Sequence, residues 1–274
     1  MKNVYYVLLA LLALTGCADT FTISGTSNVS TLDGQKLYLK VLKDTAMKDL
    51  DSCDVVHGQF RFQGNVDSVC VGNIILNDNV GLPVVLEGGD ILVKIDNTQE
   101  TVSGTPLNEK LSSFRLKFTQ LMNQSLELVH RHDQAIMNGE NMAVVNAKLS
   151  AQDEAINAKM DKLVTGFVTE NMDNVLGPYV FINTCMNRYE VPMLDAWIED
   201  IMSKATDHFK NDPLVKDYYE KAQENQQYMN GMKEIPQTQS AMPAGQTPPQ
   251  DGQTPPQDGP TPNEMAAPAS ANQE

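Results

Sequence analysis

Cysteine, tryptophan and positive charge are scarce in this chain, and no apolar run in it is long. Its 274 residues hold four Cys and one Trp, with 20 Lys and Arg set against 35 Asp and Glu. The net charge of -15 excludes binding to a phosphate backbone as a main role, because nucleic-acid affinity comes largely from Lys and Arg releasing condensed counterions. A bilayer-spanning helix needs about 20 apolar residues. The longest such run here, Val4–Leu14, has 11. No C-x-x-C occurs, so neither a dithiol redox pair nor a zinc ribbon is encoded. Gly-rich phosphate loops and metal-ligand signatures are also missing, and Ser52 has no His in a triad-like context. These absences point away from an enzyme and from a bound cofactor or metal.

The short apolar run has its own meaning. Lys2 gives a positive n-region, Val4–Leu14 an apolar h-region, and Leu14-Thr15-Gly16-Cys17 resembles the lipobox of bacterial lipoproteins. That resemblance implies removal of residues 1–16 and acylation of Cys17, which becomes the mature N-terminus. Two or more acyl chains, at about 0.8 kcal/mol per buried methylene, make such an anchor durable. The expected location is the cell envelope, anchored by lipid and facing the periplasm from the outer membrane. Only Asp19 follows the acylated position as an immediate acid, and surface exposure is the alternative.

Cys53, Cys70 and Cys185 are then the thiols left to the exported fold. Strand signals at 49–56, 59–64 and 67–76 suggest a meander with Cys53 and Cys70 two strands apart, about 9–10 Å, beyond the Cα limit for a disulfide. Three buried or unpaired thiols are expected.

Residues 17–104 read as sheet. "FTISGTS", "QKLYLKVL", "LDSCDVV", "GQFRFQG", "SVCVGNIIL", "LPVVLEGGDILVKID" and "ETVSG" are short runs rich in Val, Ile, Phe and Tyr, broken by Gly, Asp and Asn at the rhythm of an antiparallel β-sandwich or barrel-like unit. Phe60 and Phe62 alternate with polar residues, as a strand with one buried face requires. Gly88-Gly89 reads as a tight hairpin between "LPVVLE" and "ILVKID".

The period changes at Thr105-Pro106, an N-cap followed by proline at the first helical position. Leu107, Leu111, Phe114, Phe118, Leu121, Ser125 and Leu128 trace an amphipathic helix that ends near Asn138-Gly139. A second helix through Val145, Ile156, Leu163 and Phe167 to about Met172 completes an antiparallel hairpin, and shorter helices are expected at 174–187, 192–208 and 213–229. From residue 231 the chain is Pro-, Gln- and Gly-rich, with "GQTPPQD" repeated in tandem from 245. Such a stretch cannot bury enough surface to offset its ordering entropy, so a disordered tail is expected over 231–274. The organisation is therefore α+β: a signal peptide (1–16), a β-sandwich-like domain (17–104), an all-α domain (105–230) and the tail.

Three motifs carry a resemblance: Asp51-Ser52-Cys53-Asp54-Val55, Gly58-Gln59-Phe60-Arg61-Phe62-Gln63-Gly64, and Ser103-Gly104-Thr105-Pro106-Leu107-Asn108. They resemble the N-terminal domain of unknown function of Bacteroidota-type lipoproteins, usually fused ahead of an alkyl-hydroperoxide-reductase/thioredoxin-like domain. The likeness extends over about residues 20–230, with "ENMDNVLGPYVFI" similar to the connector of that family. Where the family reaches W-C-x-x-C, this chain gives "NGMKEIPQTQS". The resemblance also implies O-glycosylation at Thr45 and Ser68, in Asp-Thr-Ala and Asp-Ser-Val.

The remaining constellations read as structure. His130 and His132 stand two apart on a helix and do not share a face. Asp153-Glu154 and Glu199-Asp200 read as helix surface, Met186, Met193 and Met202 as gap-filling core, and Trp197 as a packing anchor. The function expected is a non-catalytic envelope module that binds a protein partner or small ligand. Its alternatives are an accessory to a separate thiol-disulfide oxidoreductase and an enzyme with a site between the domains.

Overall fold

A computed structural model describes residues 19–43, 46–77 and 80–233. The stretch expected to be a signal peptide, Cys17, Thr45 and the residues beyond 233 lie outside the described residues. Eight strands come first: β1 (Asp19–Ser27), β2 (Lys36–Lys43), β3 (Ala46–Asp54), β4 (Gln59–Val66), β5 (Cys70–Asn77), β6 (Val80–Leu86), β7 (Gly89–Ile95) and β8 (Glu100–Ser103). They form two open four-stranded sheets, β4-β1-β7-β8 and β3-β2-β5-β6. Alternation sets the inner faces: Phe21, Ile23, Phe62, Ile91 and Val93 from the first sheet meet Leu37, Leu39, Ile74, Leu82 and Leu86 from the second in one core.

The strands lie as expected, but some neighbours do not. Gly88-Gly89 is no hairpin: β6 and β7 belong to different sheets, and the chain crosses between layers there. Strand β7 therefore arrives alongside β1 in the same direction, giving one parallel pair in an otherwise antiparallel sandwich. The expected meander also fails, because β4 pairs with β1 and the strand between β3 and β5 is β2. Cys53 and Cys70 are still two strands apart, and Cys53 is level with Leu37 whereas Cys70 lies two residues before Gly72, the partner of Val41. That offset of about six residues adds roughly 20 Å along the strands.

Helices α1 (Pro106–Met137) and α2 (Met142–Glu170) form the hairpin, closed by Asn141, whose side chain accepts from the N–H of Ala143 at 3.1 Å. Then come α3 (Leu176–Arg188), α4 (Ala196–Lys204), α5 (Asp207–Asn211) and α6 (Pro213–Met229). The expected 192–208 helix is two, because Thr206 caps a new start by accepting from the N–H of Phe209 at 3.3 Å. Phe181 centres the helical core, 5.9 Å from the Trp197 ring, 5.4 Å from Phe209 and 6.1 Å from Tyr218. Trp197 is thus the packing anchor expected. Met202 is buried, but Met186 is 71% exposed, because Phe181, Ile182 and Cys185 fill the inner face of α3.

Strand β6 is buried on both faces. Leu82, Val84 and Leu86 point into the sandwich, whereas Val85 belongs to the helical core with Leu111, Phe114 and Val164. Helix α1 covers β6 and β8, the edge strands of the two sheets on that side. An exposed row of unpaired backbone groups is avoided there.

Candidate functional site

The start of α1 fixes the junction of sandwich and helices. Gly104, at φ 95°, adopts a conformation that L side chains rarely take, and a Cβ there would overlap the carbonyl oxygen of Asp90. The chain turns into Thr105, the N-cap position, but the Thr105 side chain does not cap. Its hydroxyl accepts from Asn108 Nδ2 at 2.8 Å. The free N–H groups of Leu107 and Asn108 are instead taken by Glu87 Oε1, at 2.8 and 3.2 Å, from the loop after β6. A carboxylate there also suits the positive end of the helix dipole. Asn108, 1% exposed, accepts from the N–H of Val85 at 2.8 Å and donates to its carbonyl at 2.7 Å.

Beside this junction lies a cleft of about 590 Å³, within the usual range for small-molecule sites. Each helix supplies one stripe at helical spacing: Leu111, Phe114, Arg115, Phe118 and Met122 from α1, Asn157, Met160, Asp161 and Val164 from α2, and Tyr179, Val180, Asn183, Thr184, Asn187 and Arg188 from α3. Pro83 of β6 closes the base. The floor is apolar and the rim carries amides and two guanidinium groups.

Both guanidinium groups are held. Arg115 pairs with Glu100 of β8 at 3.7 Å. Arg188 bonds to Asp161 across α2 and α3 and lies 4.7 Å from the Trp197 ring centre, whose indole N–H donates to Thr165 Oγ1 at 2.7 Å. Such anchoring fixes the two cations in direction. Burial raises the Tyr179 phenol above its ordinary pKa, opposed by Arg115, so this rim group is a neutral hydroxyl near pH 7. The cleft can hold a ligand that joins an apolar body to polar or anionic groups.

The thiols stand elsewhere. Cys185 is fully buried on the inner face of α3, and burial first of all pushes its thiol up to about 12, against the hydrogen bond with Tyr218. Burial likewise raises Cys53 and Cys70, with Asp51 and Asp54 adding to the effect at Cys53. All three are free cysteines, Cys53 and Cys70 half-buried against the sandwich core. At pH 7 each stays a thiol, the unreactive form. His130 is exposed, and His132 faces Asp133 at 3.6 Å. Among the described residues no group of three or more His, Cys, Asp and Glu is placed to hold a metal ion. Ser52 is exposed on β3. Asp153 accepts from Ser125 at 3.1 Å and Asn157 at 2.9 Å, and Asp200 pairs with Lys204 at 2.7 Å.

Sequence reasoning reached the apolar stripe but not Arg115, Asp161, Tyr179 or Arg188. Their only signal was a charged or phenolic residue at a stripe position, which resembles ordinary helix surface until three helices and a strand come together.

The molecule is an α+β protein, a two-sheet sandwich with a helical layer over one edge. Residues 21–111 match the profile of a domain of unknown function, DUF4369. No curated protein and no solved structure matches the chain. The match ends inside α1, past Asn108, in keeping with the structure: the first turns of that helix are bonded into β6 and belong physically to the sandwich.

Proposed function

We propose that this protein is a lipid-anchored envelope module that binds a small amphipathic ligand without transforming it, in the cleft between β6, α1, α2 and α3. The cleft itself carries the reading: an apolar floor with a rim of fixed guanidinium, amide and phenol groups is the usual make-up of a small-molecule site. The non-catalytic part is supported by chemistry. The two cations in the cleft are neutralised by protein carboxylates, and no thiol among the described residues lines it, Cys185 facing the helical core behind α3 with burial keeping it protonated. Anchoring at Cys17 is supported by Leu14-Thr15-Gly16-Cys17 behind a short apolar run, the pattern of the lipoproteins it resembles.

Native mass spectrometry of the protein released from its own membranes tests the binding. A non-covalent adduct of discrete small mass is expected, reduced at least tenfold in Asn183→Phe, which puts a ring at the rim from an exposed helical position. An adduct unchanged by Asn183→Phe, or an apo mass only, would refute the reading. Cys17→Ala should move the protein from the membrane to the soluble fraction.

A further inference from the structure

A second concavity runs along the other side of the α1–α2 seam and shares only Phe114 with the cleft. Its volume is about 550 Å³. Lys110 and Lys117 of α1 and Lys159 and Lys162 of α2 line it, four of the 20 cationic side chains of a chain whose net charge is -15. Glu170 is the one acid in its lining. Lys110 is engaged with Asn171 Oδ1 at 3.1 Å, but no carboxylate among the described residues pairs with Lys117, Lys159 or Lys162. The helix register brings these three together. Phe114 packs on Phe167 at 4.3 Å and Ser125 bonds Asp153, so Lys117 stands across the seam from Lys162, with Lys159 one turn further on.

The floor is apolar, formed by Phe114, Leu163 and Phe167, and it is held open by Gly166. Glycine inside a helix costs about 0.5–1 kcal/mol relative to alanine. Packing does not demand it here, because a Cβ at 166 would meet nothing within 4 Å. What its absence provides is room over the floor.

We infer that this groove binds a single-chain amphiphile with a phosphomonoester head. The head sits among Lys117, Lys159 and Lys162, and the tail lies along Phe114, Leu163 and Phe167 over Gly166. A phosphomonoester carries about -1.5 to -2 charges at pH 7 and three acceptor oxygens, which suits three ammonium groups better than a single carboxylate does. Lysine stems are long enough to lie on the apolar floor while their heads meet the anion.

Calorimetric titration of the intact protein with n-decyl phosphate, below its micelle concentration, tests this inference. Decanoate, decyl maltoside and inorganic phosphate serve as comparison ligands. Decyl phosphate should bind at least tenfold more tightly than any of the three. Lys117→Glu with Lys162→Glu should weaken it at least tenfold. Gly166→Leu, which keeps every charge and removes a helical glycine, should weaken it at least fivefold with no loss in melting temperature. Equal binding of decanoate would refute the phosphate head, equal binding of inorganic phosphate an amphiphile, and equal binding of decyl maltoside the role of charge. Unchanged binding in Gly166→Leu would refute the groove as the site. Asn183→Phe, in the separate cleft, should leave this binding intact, so the two sites fail independently.

Discussion

Asn108 holds Val85 by both of its backbone groups, accepting from the N–H at 2.8 Å and donating to the carbonyl at 2.7 Å. One amide side chain thus supplies, at the edge of the second sheet, the pair of hydrogen bonds that another strand would make. Replacing Asn108 with Ala leaves two buried backbone groups without partners, at a cost of about 1–3 kcal/mol each. The melting temperature should fall by roughly 2–4 °C for each kcal/mol in a unit of this size. Glu87→Gln keeps an acceptor for Leu107 and Asn108 and loses only the charge at the helix start, so its cost should stay near 0.3–1 kcal/mol. Calorimetry of the two variants checks the order, and a larger loss in Glu87→Gln would contradict it.

Across β1 and β4, Phe60 is the register partner of Gly25 and Phe21 of Gly64. A Cβ at position 25 would overlap the tip of the Phe60 ring. Gly25→Ala should therefore destabilise by about 1–3 kcal/mol through overpacking. In a Phe60→Ala background the same change should cost far less. Denaturant unfolding of the four members of this double-mutant cycle measures the coupling, and simple additivity would show that ring and glycine do not meet.

The buried acids dictate behaviour in base. Burial pushes Cys185 up to about 12 and Tyr189 up to about 12, and raises Tyr218. The unfolded chain sheds these protons from about pH 8.5 for Cys and about pH 10 for Tyr, while the folded protein keeps them. Bound protons then favour the folded state, so the contribution of these groups is constant below about pH 8 and is lost as pH rises toward 12. The slope is about 1.4 kcal/mol per pH unit for each such group. Urea unfolding between pH 7 and 11 should show that fall, and Cys185→Ala should make it shallower between about pH 8.5 and 10, where Cys53 and Cys70, raised by partial burial, still contribute. Stability that rises over this range would contradict the assignment.

Arg188 covers one face of Trp197, and Trp197 is the only Trp in the chain. Arg188→Ala should remove a cation–π contact and a half-exposed ion pair, together about 0.5–1.5 kcal/mol. The tryptophan emission should shift to the red as water reaches the ring. Asp161→Asn, which loosens Arg188 without removing it, should give a smaller shift in the same direction. Emission spectra of the two variants decide this.

Much of this architecture could be read from the sequence, because it is written in local periods. The expected end of α1 near Asn138-Gly139 lies next to the observed one at Met137, since the stripe from Leu107 to Leu128 repeats every three or four residues. The β-strands followed from alternation and turn residues. Their neighbours did not, because Gly88-Gly89 suits a hairpin as well as a crossing between sheets, and only the long-range pairing of β1 with β7 separates the two. Thr105 stands at the N-cap position with Pro106 after it, as expected, but the side chain that takes the free N–H groups is Glu87, outside the helix and 18 positions earlier, which no local pattern announces. Arg115, Asp161 and Arg188 gave no warning, because each is an ordinary helix-surface residue until the cleft assembles around it.

Hydrogen–deuterium exchange locates the ligand most directly. The intact protein is compared with and without a small-molecule extract of the cells that make it. The account predicts added protection in the stripes that line the cleft, residues 111–122 of α1, 157–164 of α2 and 179–188 of α3, and no such protection in Asn183→Phe. Protection confined to the outer face of the β4-β1-β7-β8 sheet, or none anywhere, would contradict it.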